Sequence, residues 1–304
     1  MKTKTKYADV FMDPSFKYIF GEDGKESMIS LLKTFLNIPD IEDITYLQTE
    51  DVGLGKADKR IHFDIACRAS DGKRFIVEAQ VVDQRFFNQR AMLYVSTMVR
   101  NAVREANEQA KKEHKVWDYS FSPVYLLSLF KGTDGLNHSK PGCIHTYTMK
   151  DVKSGDDMSA GISITFVELG KYKGSPDERD VLNQWLYSLK NIENLEDMPD
   201  WITDGKIQKF YDLAEFANMP VSVREKIENY MTTELDWKNA MIWAVDKAKV
   251  EGKAEGREEG REEGREEGAN QKALEMARVM KQDNLDNEVI MRYTGLPLET
   301  ISKL

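Results

Sequence analysis

Cysteine and histidine are scarce in this sequence, and long apolar runs are missing. The two cysteines, Cys67 and Cys143, exclude a disulfide-built scaffold and fit a reducing compartment. The four histidines are scattered and no C-x-x-C occurs, which argues against a structural zinc site. The longest apolar stretch, near Val124 to Phe130, is far shorter than a bilayer span. The basic start, Met1 to Lys6, is followed by no apolar segment, so it does not read as a secretory signal. The expectation is a cytoplasmic protein with no membrane partner. Basic residues are also outnumbered, 43 against 52 acids for a net charge of -9. That excludes a uniformly basic nucleic-acid coat but leaves room for a local basic patch.

What is present is a chain of 304 residues, 41% hydrophobic, long enough for a large core. Asp13-Pro14 reads as an N-cap and first helical residue. Glu26 to Asn37 has helical apolar spacing and stops before Pro39. Asp43 to Thr49 reads as a strand and Glu50 to Lys59 as a loop. Within that loop, Gly53-Leu54-Gly55-Lys56 lacks the spacing of a phosphate-binding loop. Ile61 to Arg68 and Arg74 to Val81 alternate, with Ser70-Asp71-Gly72-Lys73 between them, and together predict a β-hairpin. Asp83 to about Lys112 predicts a long helix. Pro123 to Phe130, Ile144 to Met149 and Ile162 to Leu169 predict strands. Helices follow at 177–191, 207–218, 223–281, 287–293 and 298–304.

The hairpin is where chemistry concentrates. Phe63, Ile65 and Cys67 are expected on one face of the first strand, and Phe75, Val77, Ala79 and Val81 on the matching face of the second. The other face then carries His62 and Asp64, with Glu78 and Gln80, as a solvent or cleft face. Spacing alone leaves an ordinary exposed polar face equally open. The loop decides. A three-residue loop centred on Gly72 sets Asp64 opposite Gln80 and Ala66 opposite Glu78, making the two acids diagonal neighbours. A two-residue Asp71-Gly72 turn sends them to opposite faces. Two converging acids can hold Mg²⁺ or Mn²⁺ through oxygen, and such a metal activates water against a phosphodiester.

The ordered set Asp13-Pro-Ser-Phe-Lys-Tyr-Ile-Phe-Gly21, Asp58-Lys-Arg-Ile-His-Phe-Asp-Ile65, Phe75-Ile-Val-Glu-Ala-Gln80, Arg90…Tyr94 and Tyr119…Pro123-Val-Tyr125 resembles the PD-(D/E)XK nucleases. More closely, it resembles their recombination-promoting nuclease (Rpn) and transposase branch. The resemblance implies an α/β fold, a restriction-endonuclease-like core with a mixed central sheet flanked by helices, extended by C-terminal helices. It also implies a metal-dependent DNA endonuclease, with a link to recombination or mobile elements. Asp64 and Glu78 would be metal ligands, with Gln80 catalytic at the position where lysine is commonest. Lys59 or Lys73 is a candidate replacement charge. Lys59, Arg60, Arg90 and Tyr94 are the candidate DNA contacts, in a locally basic stretch that also holds Lys56, Arg74, Arg85, Arg100 and Arg104. His62 is a candidate outer-shell group.

The expected organisation is a nuclease-like domain over 5–232 (core about 5–170, helical extension 171–232), a long charged helix over 233–282 and a small helical piece over 283–304. In the long helix, Ala240, Ala244, Ala248, Gly252, Gly256, Gly260, Gly264 and Gly268 form a line of small residues at spacing four. It reads either as a homo-oligomer seam or as a solvated linker. The rival to the enzyme is a catalytically silent nuclease fold kept as a DNA- or protein-binding module.

Overall fold

The computed structural model describes residues 6–51, 61–81, 86–132, 141–158, 161–174 and 179–304. In chain order the elements are α1 (Asp13–Ile19), α2 (Lys25–Leu36), β1 (Ile44–Tyr46), β2 (Glu50–Asp51), β3 (Ile61–His62), β4 (Ile65–Ala69), β5 (Arg74–Gln80) and α3 (Phe87–Lys112). There follow β6 (Val124–Phe130), β7 (Ile144–Tyr147), β8 (Ile162–Glu168), α4 (Val181–Asn191), α5 (Gly205–Ala214), α6 (Val221–Gln282), α7 (Asn287–Thr294) and α8 (Leu298–Ser302). The chain divides into two compact units, Met1–Met231 and Thr232–Leu304. No described helix is long and apolar enough to cross a membrane.

The first unit is built on a six-stranded mixed sheet in the order β1-β4-β5-β6-β8-β7. Strands β1, β4 and β5 are antiparallel, β5, β6 and β8 parallel, and β7 runs antiparallel to β8. The parallel step from β5 to β6 needs a crossover, and α3 supplies it. Ala91, Val95, Met98 and Ala102 of α3 bury Ile76, Leu126, Ile164 and Phe166 on one face of the sheet. On the other face, α1, α2, α4 and α5 pack Phe16, Leu31, Leu32, Trp185 and Phe210 against Cys67, Phe75, Val77, Leu127 and Val167. Helices thus cover the central parallel strands on both faces, as parallel strands with a crossover helix require.

Local signals set the helix ends. Helix α2 stops at Asn37, which adopts φ 55° ahead of Pro39. The side chains of Asp180 and Asp204 cap α4 and α5 by accepting backbone N–H bonds. Asp13 does not act this way. Helix α1 already begins at Asp13, Met12 occupies the cap position, and Asp13 instead pairs with Lys17 one turn on, at 2.6 Å. In the second unit, Ala277 of α6 meets Ile290, Leu296 and Ile301 from α7, α8 and the turn between them.

The hairpin loop has three residues, but it is Ser70-Asp71-Gly72 and centres on Asp71. Ala69 N–H donates to Lys73 O at 2.8 Å and Gly72 N–H to Ala69 O at 2.9 Å. Gly72 sits at φ +93°, the left-handed residue that closes such a loop. A Cβ there would lie 3.0 Å from Ser122 Oγ. Gly72→Ala is therefore expected to cost about 1–2 kcal/mol in urea denaturation. An unchanged midpoint would mean the turn is not held in this form.

Candidate active site at the open end of the hairpin

Moving the loop by one residue moves the register. Ile65 pairs with Val77 and Ala66 with Ile76, so the same register sets Asp64 opposite Glu78. The two acids are direct partners across the strands, not the diagonal neighbours expected from a loop centred on Gly72. The first strand is also interrupted. Ile61–His62 belongs to the two-stranded β2-β3 ladder and Ile65–Ala69 to the main sheet, with Phe63 and Asp64 between them. The break turns Phe63 to the α3 side while Ile65 and Cys67 face the opposite core. The expected single face of Phe63, Ile65 and Cys67 therefore does not form.

At the break the two carboxylates clasp the backbone reciprocally. Asp64 N–H donates to Glu78 Oε1 at 3.1 Å, and Ala79 N–H donates to Asp64 Oδ2 at 2.8 Å. Each acid thus fixes the other strand through one oxygen. Glu78 is 2% exposed and Gln80 6%, so this is no solvent face; α3 covers it. Burial, and then the neighbouring Asp64 charge, push the Glu78 carboxyl well above its ordinary range. Burial also raises Asp64, against the lowering effect of the Ala79 N–H bond.

Arg90 and Tyr94 reach this place from α3. Arg90 Nη2 lies 3.9 Å from Glu78 Oε2. Its guanidinium stands 5.4 Å from the Phe87 ring centre and 5.5 Å from that of Tyr94. Tyr94 packs edge-on to Phe63 at 5.3 Å, and burial followed by the Glu78 charge pushes its phenol up to about 12. Gln80 follows two residues after Glu78 on the same strand, and its carbonyl accepts the Lys131 N–H at 2.9 Å.

Other expectations fall away from this point. Lys73 lies at the turn end of the hairpin, bonded to Asp40 at 2.9 Å and to Asp71, so it supplies no charge to the acids. His62 is exposed in the β2-β3 ladder, opposite Glu50. Arg74 is buried against Glu105. Lys56, Lys59, Arg60, Arg85 and the Gly53-to-Lys56 stretch lie outside the described residues.

A family model described as PD-(D/E)XK nuclease family transposase matches residues 10–244, most of the chain. The chain belongs to that family. No curated protein and no solved structure gives a match. PD-(D/E)XK nucleases generally use divalent metal ions. The donors gathered here suit a hard cation: two adjacent carboxylates, both desolvated, each with one oxygen outside the reciprocal clasp. Among the described residues no three His, Cys, Asp or Glu side chains group as a metal site. Water and substrate oxygens would complete the shell, as Mg²⁺ prefers.

In the sequence Asp13 reads as a cap, and both Asp13 and Lys17 stand in the family-like segment up to Gly21, with no chemical role expected of either. Both lie within electrostatic reach of Asp64, Asp13 raising its pKa and Lys17 lowering it, and Lys17 acts on Glu78 in the same sense. The available signal was their i,i+4 spacing, which puts both on one face of α1.

The raised Glu78 pKa has a stability consequence with a definite sign. The folded state holds this proton more tightly than the unfolded chain. Stability from the group is complete below the unfolded carboxyl pKa and is lost as pH rises through the folded value. Glu78→Gln keeps the acceptor for Asp64 N–H and removes the charge. Its Tm in EDTA should exceed wild type at pH 7 and converge with it below about pH 4. A variant less stable than wild type at pH 7 would show that the charged carboxylate stabilises the metal-free fold.

Proposed function

We propose that this protein is a metal-dependent DNA endonuclease, with Asp64 and Glu78 holding Mg²⁺ or Mn²⁺. The observation that carries the reading is the reciprocal clasp, which brings two desolvated carboxylates together in a chain of nuclease ancestry. A bound divalent ion lowers the pKa of a water and stabilises charge on the phosphodiester oxygens. The protein's own parts in the reaction are positional. The Asp64 N–H and Ala79 N–H hold the two carboxylates in fixed orientation. Gln80, two residues along β5, orients the attacking water through its amide. Arg90, held between Phe87, Tyr94 and Glu78, offers its guanidinium to a substrate phosphate, and Tyr94 buttresses it. Lys59 and Arg60, outside the described residues, are proposed as further DNA contacts from the family resemblance alone. A role in recombination or mobile-element movement follows from the family description, and a cytoplasmic location from the cysteine usage.

One observation favours the rival reading, a silent module that binds DNA or protein. Glu78 is almost fully buried, already accepts a backbone N–H and has the Arg90 guanidinium 3.9 Å away. Plasmid nicking separates the two. Wild type should nick supercoiled DNA with Mg²⁺ and not in EDTA, and Asp64→Asn should lose at least a hundredfold in rate while keeping its fold. Mg²⁺ should raise the Tm of wild type by mass action and leave Asp64→Asn unmoved. Gln80→Lys should retain cleavage. Wild type that binds DNA yet never nicks it, and shows no Mg²⁺-induced Tm change, selects the silent module.

Self-association through α6 is part of the proposal. An added Cβ at Gly252, Gly256, Gly260, Gly264 or Gly268 meets nothing within 4 Å among the described residues, which supports close approach of a second helix along this line. Replacing Gly256, Gly260 and Gly264 by Gln blocks close approach while favouring helix. Light scattering should show an oligomer for wild type and a smaller species for the variant. The same mass with more helix by circular dichroism identifies a solvated linker.

A further inference from the structure

At the turn end of the hairpin, away from the two acids, the α3 side of the sheet holds a second charged constellation. Arg68 and Arg74 are direct partners across β4 and β5. Like charges set opposite one another destabilise a strand pair. Here one carboxylate serves both. Glu105 of α3 receives Arg74 Nη1 at 3.3 Å and Nη2 at 2.6 Å, and Arg68 Nη1 at 3.4 Å. The Arg74 side chain is only 4% exposed, and its Nε is buried with no hydrogen-bond partner among the described residues. A desolvated guanidinium with an idle donor is costly in a merely structural ion pair.

These residues line a concavity of about 530 Å³ that Lys112, Ser70 and Ser122 also enter. Glu108 is the second carboxylate on its wall, so three cations face two anions in a protein whose net charge is -9. The hydrogen bond from Arg74 keeps Glu105 below the usual carboxylate range, so it remains an anion and holds both guanidiniums in place. The excess positive charge, the planar guanidinium forks and the two serine hydroxyls match the oxygens of a phosphate group better than a single carboxylate or an apolar ligand.

We propose that this concavity is a phosphate-binding site formed by Arg68, Arg74 and Lys112. Two sources share that chemistry: a backbone phosphate of bound DNA, and a free phosphate or phosphomonoester. The first source rests on the nuclease reading. Arg74 and Glu78 project from the same face of β5 four residues apart, about 13 Å at strand rise. Because the phosphates wind around the duplex axis, that straight distance spans about two nucleotide steps of one strand. A strand with its reacting phosphodiester at Asp64 and Glu78 would present a flanking phosphate at this distance. The site then anchors DNA without touching the reacting bond.

The test uses the full-length protein in EDTA, where metal-dependent cleavage is silent. The main variant is the double change Arg68→Gln and Lys112→Gln, which leaves buried Arg74 and its Glu105 pair intact. Arg74→Lys is the second, retaining charge while losing the fork. Folding of each is checked by circular dichroism. If DNA is the source, the double variant binds a short labelled duplex about tenfold more weakly. Its plot of log affinity against log salt is then shallower by about one to two. If the source is free, inorganic phosphate raises the Tm of wild type but not of the double variant, and the salt slope does not change. Both results support the site and distinguish its ligand. The proposal is overturned if the folded double variant matches wild type in salt slope and in its Tm response to phosphate. Plasmid nicking with Mg²⁺ is run alongside. Loss of nicking in wild type itself counts against the nuclease reading, while the phosphate arm still decides this site.

Discussion

Everything at the site depends on two hydrogen bonds that cross between strands. Asp64 and Glu78 each offer one carboxylate oxygen to a backbone N–H on the opposite strand, at 2.8 and 3.1 Å respectively. Ordinary ladder bonds would hold the strands and leave the carboxylates to choose their rotamers. Here the carboxylates are themselves ladder acceptors, so their positions are set by backbone geometry. The interruption at Phe63 and Asp64 makes this possible. It removes Asp64 from the regular ladder and frees its N–H for Glu78. The break re-aims side chains, as Phe63 on the α3 side and Ile65 on the other face show.

The clasp is expensive to keep, and the surrounding fold shows how it is kept. The sheet is covered on both faces, so the acids are desolvated and both carboxyls are raised. Arg90 stands near enough to soften the like-charge pair without forming a close bidentate bridge with it, at 3.9 Å. Two adjacent desolvated acids with only partial compensation from Arg90 suit a divalent cation. The same helix, α3, treats the other end of the hairpin in the opposite sense. There Glu105 compensates two arginines incompletely. One helix therefore spans an acidic end and a basic end of the same pair of strands.

Much of this was legible in the residues. Alternation around Ser70-Asp71-Gly72-Lys73 gave the hairpin, and the absence of Gly and Pro after Asp83 gave the crossover helix, which runs over Phe87–Lys112. What escaped has physical reasons. Alternation reads the same whether a strand is straight or broken, so the turn of Phe63 toward α3 was invisible. A three-residue loop can centre on either Asp71 or Gly72, and only the position of the left-handed residue at its end settles which. Glu78 and Gln80 looked exposed because polar residues in strands usually are. That expectation fails when a helix must cover the sheet. Asp13 looked like a cap because Asp before Pro usually is one, yet α1 begins one residue earlier and Asp13 turns to Lys17.

The central claim is that Asp64 and Glu78 share one divalent cation. Crystals grown with Mn²⁺ and measured at its absorption edge test it directly. The account predicts one anomalous peak at the open end of the hairpin, about 2.0–2.6 Å from a carboxylate oxygen of each residue. Strong Mn²⁺ peaks elsewhere, with none between Asp64 and Glu78 at saturating metal, would contradict it.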